Sequence, residues 1–170
     1  MPKQLLTFTG HQDKIRSTHG KMANWQIIPP QTKEHWEQLY DLRYRVLRRA
    51  WNQERGSEIA EDDDEALHAI VYTNNHKVIA CCRAHLSAES QVQLRFMAVD
   101  PRFQGLGLGK AILFYIEKRA ATQYQPVHQF VLHARENAIK FYQSNGYEIV
   151  SKSHLLFNSI QHYLMSKTLI

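Results

Sequence analysis

Three glycines alternate with other residues in "VDPRFQGLGLGKAIL", which spans residues 99–113. Gly105, Gly107 and Gly109 come after one apolar run, and Lys110 comes directly before a second. A strand that turns through glycines into a helix presents free backbone N–H groups and the positive end of the helix dipole. Because glycine has no Cβ, a ligand can approach this main chain closely. The segment therefore predicts a phosphate-binding loop.

The spacing of these residues separates three kinds of phosphate loop. A Walker A loop requires a glycine five residues before Gly109 and Ser or Thr after Lys110, where this chain has Gln104 and Ala111. A dinucleotide loop requires its third glycine one residue later and an acidic residue near position 125, and the sequence has neither. The pattern Gln/Arg-x-x-Gly-x-Gly/Ala is met by Gln104, Gly107 and Gly109. A sharp strand-to-helix turn without a ligand is the alternative role of the glycines.

Two segments in this order resemble the GNAT superfamily of acyl-CoA-dependent N-acyltransferases. "LRFMAVDPRFQGLGLGKAIL" is similar to the family's pyrophosphate-binding strand, loop and helix, and "VLHARENAIKFYQSNGYEIV" is similar to the following strand and helix. In the second segment, Asn137 opens the helix and is predicted as its N-cap, Tyr142 lies within it, and Gly146 ends it. The resemblance covers residues 24–169, and "LYDLRYRVLRRAWNQERGSE" and "DDDEALHAIVY" look like one branch of uncharacterised bacterial members.

The resemblance implies acetyl-CoA as co-substrate and assigns roles to specific residues. The implied cofactor-binding residues are Met97, Ala98, Val99, Gln104, Gly105, Leu106, Gly107, Leu108, Gly109, Lys110, Asn137 and Tyr142. The backbone N–H around Met97, on a strand that splays from its neighbour, is the implied oxyanion donor. Tyr142 is the implied catalytic acid, since a phenol is protonated at neutral pH and can protonate the leaving thiolate. Core packing is its alternative role, because Ala138 and Phe141 share its helix stripe.

The expected reaction transfers the acetyl group of acetyl-CoA to a primary amine by direct attack in a ternary complex. An alkylamine is only about 0.1% neutral near pH 7.4, so the site must remove a proton or depress the pKa of the amine. Some relatives use a strand glutamate where this chain has Gln93. Other candidates for the base are Glu54, Glu58, Asp64, Glu65, His68, His85 and His154, or a bound water molecule. Gln93 also favours an alternative function, a catalytically silent acyl-CoA-binding or regulatory module of the same fold.

The sequence supports two hypotheses for the acceptor, which in either case is a small molecule or a peptide. Residues 54–65 contain seven acidic residues and one basic residue, so this segment either attracts a cationic acceptor or, as we favour, forms a solvated loop. The other hypothesis is an amino-acid-like acceptor whose carboxylate is bound bidentately by arginine. The arginine candidates are Arg43, Arg45, Arg55 and Arg83. The acceptor side is completed by Asp64, His68, His85 and His154.

Hydrophobic periodicity and chain breakers predict the elements that position these residues. The predicted elements are a strand at 25–30, a helix capped by Thr32, strands at 67–73, 77–86 and 91–99, a helix at 107–121, a strand at 129–134, a short helix at 136–145, and strands at 147–150 and 162–169. Symmetry about the turn at 87–90 places Ala80 opposite Met97 and Arg83 opposite Leu94. The fold class is α/β in a mixed α+β arrangement. The GNAT-like fold implies a central, mostly antiparallel twisted sheet, splayed at the cofactor strand and flanked by helices.

The length and the end segments predict the domain organisation. A chain of 170 residues with 44% hydrophobic content suits one ordinary core. We expect residues 24–170 to form a single GNAT N-acetyltransferase domain. Residues 1–23 are expected to be an N-terminal extension, either non-native or upstream of the true start. The final strand, 162–169, is expected to be able to complete a partner's sheet in a homodimer.

Composition argues against several other classes of protein. The net charge is +5, but Lys and Arg are scattered, so we expect no nucleic-acid partner. No stretch approaches the roughly 20 apolar residues of a membrane span, which predicts no membrane partner and a cytoplasmic location. The ten histidines show neither H-x₃-H nor H-E-x-x-H spacing, so no metal is expected. The adjacent Cys81 and Cys82 exclude a disulfide framework and predict one thiol on each face of a strand.

Overall fold

The computed structural model describes residues 14–16 and 22–169, and most of the predicted N-terminal extension lies outside them. The strands are β1 (Lys14–Arg16), β2 (Met22–Ile28), β3 (Leu67–Thr73), β4 (Val78–Ala88), β5 (Gln91–Val99), β6 (Gln129–Arg135), β7 (Glu148–Leu156) and β8 (Ile160–Thr168). The helices are α1 (Lys33–Leu47), α2 (Leu108–Gln123) and α3 (Ile139–Gln143), with 3-10 turns at Arg49–Trp51, Pro101–Phe103 and Glu136–Ala138. The described strands form one sheet in the order β1-β2-β3-β4-β5-β6-β8-β7, in which β5 and β6 are parallel and the other pairs are antiparallel. This mixed α/β architecture confirms the predicted fold class.

The helices α1 and α2 pack on opposite faces of this sheet. Thr32 begins α1 as predicted, because its hydroxyl accepts a backbone N–H at 3.2 Å, and the helix buries Leu39 and Leu42. The buried residues of α2 on the other face include Leu108, Ile112, Leu113, Ile116 and Ala120. Cys81 contacts the cluster beneath α1 and Cys82 the cluster beneath α2, which confirms that the adjacent thiols face opposite ways. Burial raises the pKa of both thiols, so both stay protonated.

The strands β5 and β6 separate halfway along their length. Their pairing ends at Leu94 opposite Leu132, whereas β6 continues beside β8 as far as Arg135. Phe96 has a φ of +51°, which is uncommon for a residue with a side chain, and the register of β5 with β4 shifts at the same place. An extra residue on one strand is a β-bulge, which bends that strand. The second half of β5 therefore diverges from β6, and the sheet opens.

The predicted register between β4 and β5 is wrong. Ala80 pairs with Val99 rather than with Met97, and Arg83 pairs with Arg95 rather than with the residue before it. Only two residues join these strands, and the ladder is irregular both next to that turn and at the bulge. Each irregularity adds an offset, which a symmetric hairpin argument does not include.

The chain around α3 differs in part from the prediction. Asn137 lies inside a 3-10 turn, and α3 begins at Ile139 without a side-chain cap, so the predicted N-cap is wrong. A turn with i to i+3 hydrogen bonds uses the backbone groups that a cap would satisfy. Gly146 has a φ of +89° and ends the helix as predicted, and the Tyr147 N–H donates to the carbonyl of Tyr142 at 3.1 Å.

The last strand is internal and not an edge. The backbone of β8 pairs with β6 on one side and with β7 on the other. The expectation that β8 completes a partner's sheet is therefore wrong, because both of its edges are already paired. The edge strand on this side of the sheet is β7, which precedes β8 in the chain and folds back outside it.

Candidate functional site

The predicted phosphate loop connects β5 to α2 at the opening of the sheet. Gly105 and Gly107 have φ angles of +77° and +79°, in the left-handed region that favours glycine. Gly107 immediately precedes α2, and its carbonyl accepts the N–H of Ala111 at 3.0 Å. The N–H groups of the first helical turn have no partner inside a helix, so they can bind an anion together with the helix dipole. This is the local geometry that a phosphate-binding loop requires.

Gly109 has a different role from the other two glycines. A Cβ at this position would lie 3.3 Å from the ring of Phe141 and 3.5 Å from Cε of Met97. Glycine therefore allows the first turn of α2 to approach α3 closely. Gly105 and Gly107 face open space, so their left-handed backbone, and not crowding by the protein, accounts for glycine there.

A cleft of about 970 Å³ passes through the opening between β5 and β6. Arg48 lines it from the α1 face of the sheet and Tyr142 from the α2 face, so the cleft joins the two faces. The predicted cofactor residues that line it are Met97, Ala98, Val99, Gln104, Gly105, Gly107, Leu108, Gly109, Lys110, Asn137 and Tyr142. Leu106 does not line the cleft. The side-chain amide of Gln104 donates to the carbonyl of Val99 at 3.2 Å and ties the loop to β5.

Tyr142 lines this cleft. The hydroxyl donates to Sδ of Met97 at 3.5 Å, and its ring contacts Phe141 and Tyr147 edge-on, with centroid distances of 5.0 and 5.8 Å. Burial raises the pKa of the hydroxyl above its ordinary value, so the group is protonated at neutral pH. The side chain thus packs against its neighbours and carries a protonated hydroxyl beside Met97, another residue of the cleft lining.

An ion network around Asp63 contains three of the predicted acceptor-side residues. Oδ2 of Asp63 accepts from Nη1 of Arg43 at 2.8 Å, and Oδ1 lies 2.8 Å from Nε of Arg83. Both arginines are fully buried. His68 joins them, with Nδ1 3.1 Å from Arg43 and Nε2 2.7 Å from the carbonyl of Asp63. Burial, followed by Arg43, lowers the pKa of His68 to about 4, and these four residues lie outside the cleft lining.

This network also fixes the acidic segment 54–65. Glu58 and Asp63 are buried, and Oδ1 of Asp62 lies 2.6 Å from Nη2 of Arg83. The exposed acids of the segment are Glu54, Glu61, Asp64 and Glu65. The prediction of a solvated loop is therefore wrong for Glu58 and Asp63. Asp63 supplies the counter-charge that the two buried arginines require, and the Glu58 carboxylate accepts the backbone N–H of Gly56.

The other predicted acceptor-side residues are spread over the surface. Arg45 and Arg55 both bond to Asp41, at 2.7 and 2.9 Å, and His85 lies 3.0 Å from a guanidinium nitrogen of the ion network. Neither these three side chains nor the exposed Asp64 line the cleft. Of the acidic and histidine side chains considered as the base, His154 is the one that lines it, and Gln93 lies in the same lining.

Two histidines that sequence reasoning missed join His154 to form a histidine cluster, defined here as His133, His154 and His162. Nδ1 of His133 is 2.8 Å from the hydroxyl of Ser153, which is 3.1 Å from Nδ1 of His154. His154 stacks on His162, with 4.9 Å between centroids and 8° between ring planes. Burial lowers the pKa of His133 and of His162 below 6.5, so both are neutral at pH 7 and can accept a proton.

Three arginines in the cleft were also missed, and they are called the arginine triad: Arg48, Arg95 and Arg135. Strand alternation gives a signal for two of them. Arg95 follows Gln93 on β5, and Arg135 follows His133 on β6, with one buried residue between the members of each pair. The sequence shows this alternation, but it does not show that β5 and β6 are neighbours that separate.

The fold and the cleft define a class of mixed α/β acyltransferases, in which a helix preceded by a glycine loop begins where the sheet opens. Residues 65–149, half of the chain, match the Acetyltransferase (GNAT) domain. The chain therefore belongs to the GNAT acetyltransferase family and is an acyltransferase, as the sequence predicted.

Individual proteins agree with this assignment. The uncharacterised N-acetyltransferase YjcF of Bacillus subtilis (strain 168) is 26% identical over 142 residues, which are 84% of this chain and 99% of that protein. A crystal structure from Lactobacillus plantarum has a TM-score of 0.74 at 20% identity and covers 86% of this chain and 99% of its own. A GNAT family acetyltransferase from Elizabethkingia anophelis, solved with acetyl-CoA bound, has a TM-score of 0.65 at 15% identity and covers 85% and 98%. At these identities the structures establish the fold.

Two further observations concern partners. Within the described part of the chain, no helix combines the length and apolarity needed to cross a membrane. The same residues contain no group of three or more His, Cys, Asp or Glu side chains placed to bind a metal ion. A cytoplasmic location and the absence of metal and nucleic-acid partners stay predictions.

Proposed function

We propose that this protein transfers an acetyl group from acetyl-CoA to the primary amine of a small-molecule or peptide acceptor, by direct attack in a ternary complex. The observation that carries the proposal is the single cleft that contains the glycine loop, Tyr142 and the histidine cluster. Two reactants in one space can react without an acetylated enzyme. The chain's two cysteines, Cys81 and Cys82, are buried and outside the cleft lining, so neither is placed to carry the acetyl group.

The glycine loop is assigned to the diphosphate of coenzyme A. The first backbone N–H groups of α2 converge behind Gly107, and the exposed Lys110 adds a positive charge in the same turn. A hydrogen bond to a charged oxygen contributes about 1.5–3 kcal/mol, so several such donors account for useful affinity. Asn137 lies in the same cleft and is assigned to the pantetheine arm.

The reacting carbonyl is assigned to the part of β5 that has left β6. As the amine attacks, negative charge develops on the carbonyl oxygen, and the backbone N–H around Met97 is the donor that stabilises it. The C–S bond then breaks, and the hydroxyl of Tyr142 donates its proton to the sulfur. The attacking nitrogen loses its second proton as the amide forms, and this proton restores the hydroxyl of Tyr142.

The histidine cluster is assigned as the base. The ammonium of the acceptor must lose a proton before it can attack, and neutral imidazoles in the cleft can accept it. Ser153 connects His133 to His154 through two short hydrogen-bond distances, 2.8 and 3.1 Å. The side chains of His133 and His154 both stay partly accessible to solvent, so the proton can pass from the cleft to water.

Release of the CoA thiol from acetyl-CoA, measured across amino acids, lysine peptides, polyamines, aminoglycosides and arylamines, tests this proposal. We expect at least one amine to raise thiol release above hydrolysis and to be recovered in acetylated form. With both substrates varied, a ternary mechanism gives intersecting double-reciprocal plots. Parallel plots would contradict direct attack.

Gln93 favours a second candidate function, that of a catalytically silent acyl-CoA-binding or regulatory module. It occupies the position at which some relatives have a strand glutamate, and its amide cannot act as a base. A thermal shift with acetyl-CoA is expected for both functions. Binding of acetyl-CoA without thiol release for any amine would favour the silent module.

A further inference from the structure

The arginine triad converges on one part of the cleft. Nη1 of Arg48 donates to the carbonyl of Leu47 at 3.0 Å, and Nη2 of Arg135 donates to the same oxygen at 3.3 Å. The guanidinium carbons of Arg48 and Arg95 lie 5.3 and 5.0 Å from the ring centre of Phe96. Three cationic side chains from separate elements therefore surround one space.

These side chains are held in place by contacts other than ion pairs. Nε of Arg48 donates to the carbonyl of Ser57 at 3.0 Å, and Arg135 stacks on Trp51 at 4.2 Å. Among the described residues, no carboxylate lies within ion-pair distance of any member of the triad, whereas Arg43 and Arg83 both contact Asp63. The triad is therefore oriented by carbonyls and aromatic rings, and no carboxylate of the described residues pairs with it directly.

The electrostatics of the triad favour a bound anion. Burial, and then the charges of Arg135 and Arg95, lowers the pKa of Arg48, and burial also lowers the pKa of the other two guanidinium groups. The charge of Glu58 offsets part of this effect at Arg48, and the charges of Asp62 and Asp63 do so at Arg95, but each of these carboxylates already has a partner of its own. An anion in this space would relieve the mutual repulsion of the arginines.

The position along β5 separates this space from the loop assigned to diphosphate. Arg95 and Val99 are four residues apart, which corresponds to roughly 13 Å along a strand. Met97, assigned to the reacting carbonyl, lies between Arg95 and the glycine loop. A ligand bound by the triad therefore lies on the opposite side of the reacting carbonyl from the CoA diphosphate.

Resting on the proposed function, we propose that the acceptor is a small amino-carboxylate, whose carboxylate is bound by Arg48, Arg95 and Arg135 while its amine faces the histidine cluster. The planar guanidinium matches a carboxylate bidentately, and the triad offers three such groups. His133 and Arg135 point to the same face of β6, and Arg135 pairs with His162 of β8. The side chains proposed to bind the carboxylate therefore lie next to those proposed to accept the proton.

Matched amine pairs test this proposal through thiol release. The pairs are ω-amino carboxylates of three to six carbons with the corresponding amides, and α-amino acids with their amides. We expect kcat/KM to be about 10-fold to 100-fold higher for the preferred carboxylate than for its amide, as charge-assisted hydrogen bonds would give. Equal values for every pair would overturn the proposal and leave the acetyl transfer itself standing.

Variants of the arginine triad test whether these residues cause the preference for a carboxylate. Arg95→Gln and Arg135→Gln are expected to reduce the carboxylate preference towards unity, while the amides keep their kcat/KM and acetyl-CoA keeps its affinity. Arg49→Gln is the matched control, because Arg49 is exposed and outside the cleft lining. Weaker acetyl-CoA binding with an unchanged preference would show that the triad binds a phosphate of the cofactor, and would overturn the proposal.

Calorimetric titration of the CoA complex with the same carboxylates and amides gives a readout that does not depend on turnover. Carboxylate binding that is lost in Arg95→Gln, with no thiol release for any amine, would support the anion site and refute the proposed function. No carboxylate binding to the folded wild type would overturn the anion site. Thermal unfolding of each variant checks that it is folded.

Discussion

The two ends of the cleft are built from different parts of the chain. The end that we assign to coenzyme A centres on a continuous segment, residues 97–110, which offers backbone N–H groups in a conformation that needs glycine. The end that we assign to the acceptor combines side chains from α1, β5, β6, β7 and β8, which are distant in sequence. Recognition by main chain leaves a local pattern of residue types, whereas recognition by side chains leaves none. The acceptor therefore has to be inferred from charge and distance.

The largest expected effect concerns the arginines that are paired and lie outside the cleft. Asp63→Asn leaves two buried guanidinium groups without their shared charge, so the free energy of unfolding should fall by about 3–5 kcal/mol in urea denaturation. Asp64→Asn is the control, because Asp64 is exposed, and a change within about 0.5 kcal/mol is expected. Equal effects of the two variants would remove the distinction between structural arginines and the triad.

The cofactor end is tested by Gly107→Val. A β-branched residue at a φ of +79° is strained, and its side chain would occupy the space through which we expect the diphosphate to approach, so the Kd for acetyl-CoA should rise by at least about 100-fold. Gly56→Val is a matched control, since Gly56 has a φ of +101°, faces open space and lies outside the cleft lining. Undiminished binding by calorimetry in Gly107→Val would refute the assignment of the loop.

Tyr142→Phe tests the chemistry at the junction of the two ends. Turnover should fall by about 100-fold, because the proton for the leaving sulfur is lost, while the Kd for acetyl-CoA stays within about 2-fold. Tyr115→Phe, on α2 and outside the cleft lining, should leave both quantities unchanged. Full turnover in Tyr142→Phe would remove this residue from the mechanism.

The smallest expected effect is on the pH profile of the acceptor end. A base works when it is neutral, so activity should be retained above the pKa of His133 and lost as the pH falls through it. Burial, and then His154, lowers that pKa below 6.5, so the acid limb of kcat/KM should lie below pH 6.5. His133→Gln should alter this limb and lower turnover by about 10-fold, since His154 remains. An identical profile, or an equal change in the control His128→Gln, would exclude His133 as the base.

The sequence predicted what depends on local conformation. The glycine loop, the Thr32 cap, the opposite facing of Cys81 and Cys82, and the end of α3 at Gly146 follow from rules that act over a few residues. The register of β4 with β5 was not predictable in this way, because a bulge has no reliable residue signature.

The roles of the charged residues were predicted least well from the sequence. Arg43 and Arg83 were considered for the acceptor, yet they are buried against Asp63, whereas Arg48 and Arg135 reach the cleft. Whether an arginine pairs with a carboxylate of the protein or lines the cleft depends on contacts between elements far apart in the chain. One sequence does not contain this information in any local pattern.

The short parallel pairing of β5 with β6 has a last consequence. A gap that crosses a sheet has two mouths, one beside α1 and one beside α2 and α3. Under the proposed function, each substrate would have an entrance of its own, and the acetylated acceptor would be able to leave while coenzyme A is still bound. The order in which substrates bind and products leave would then depend on their concentrations and affinities.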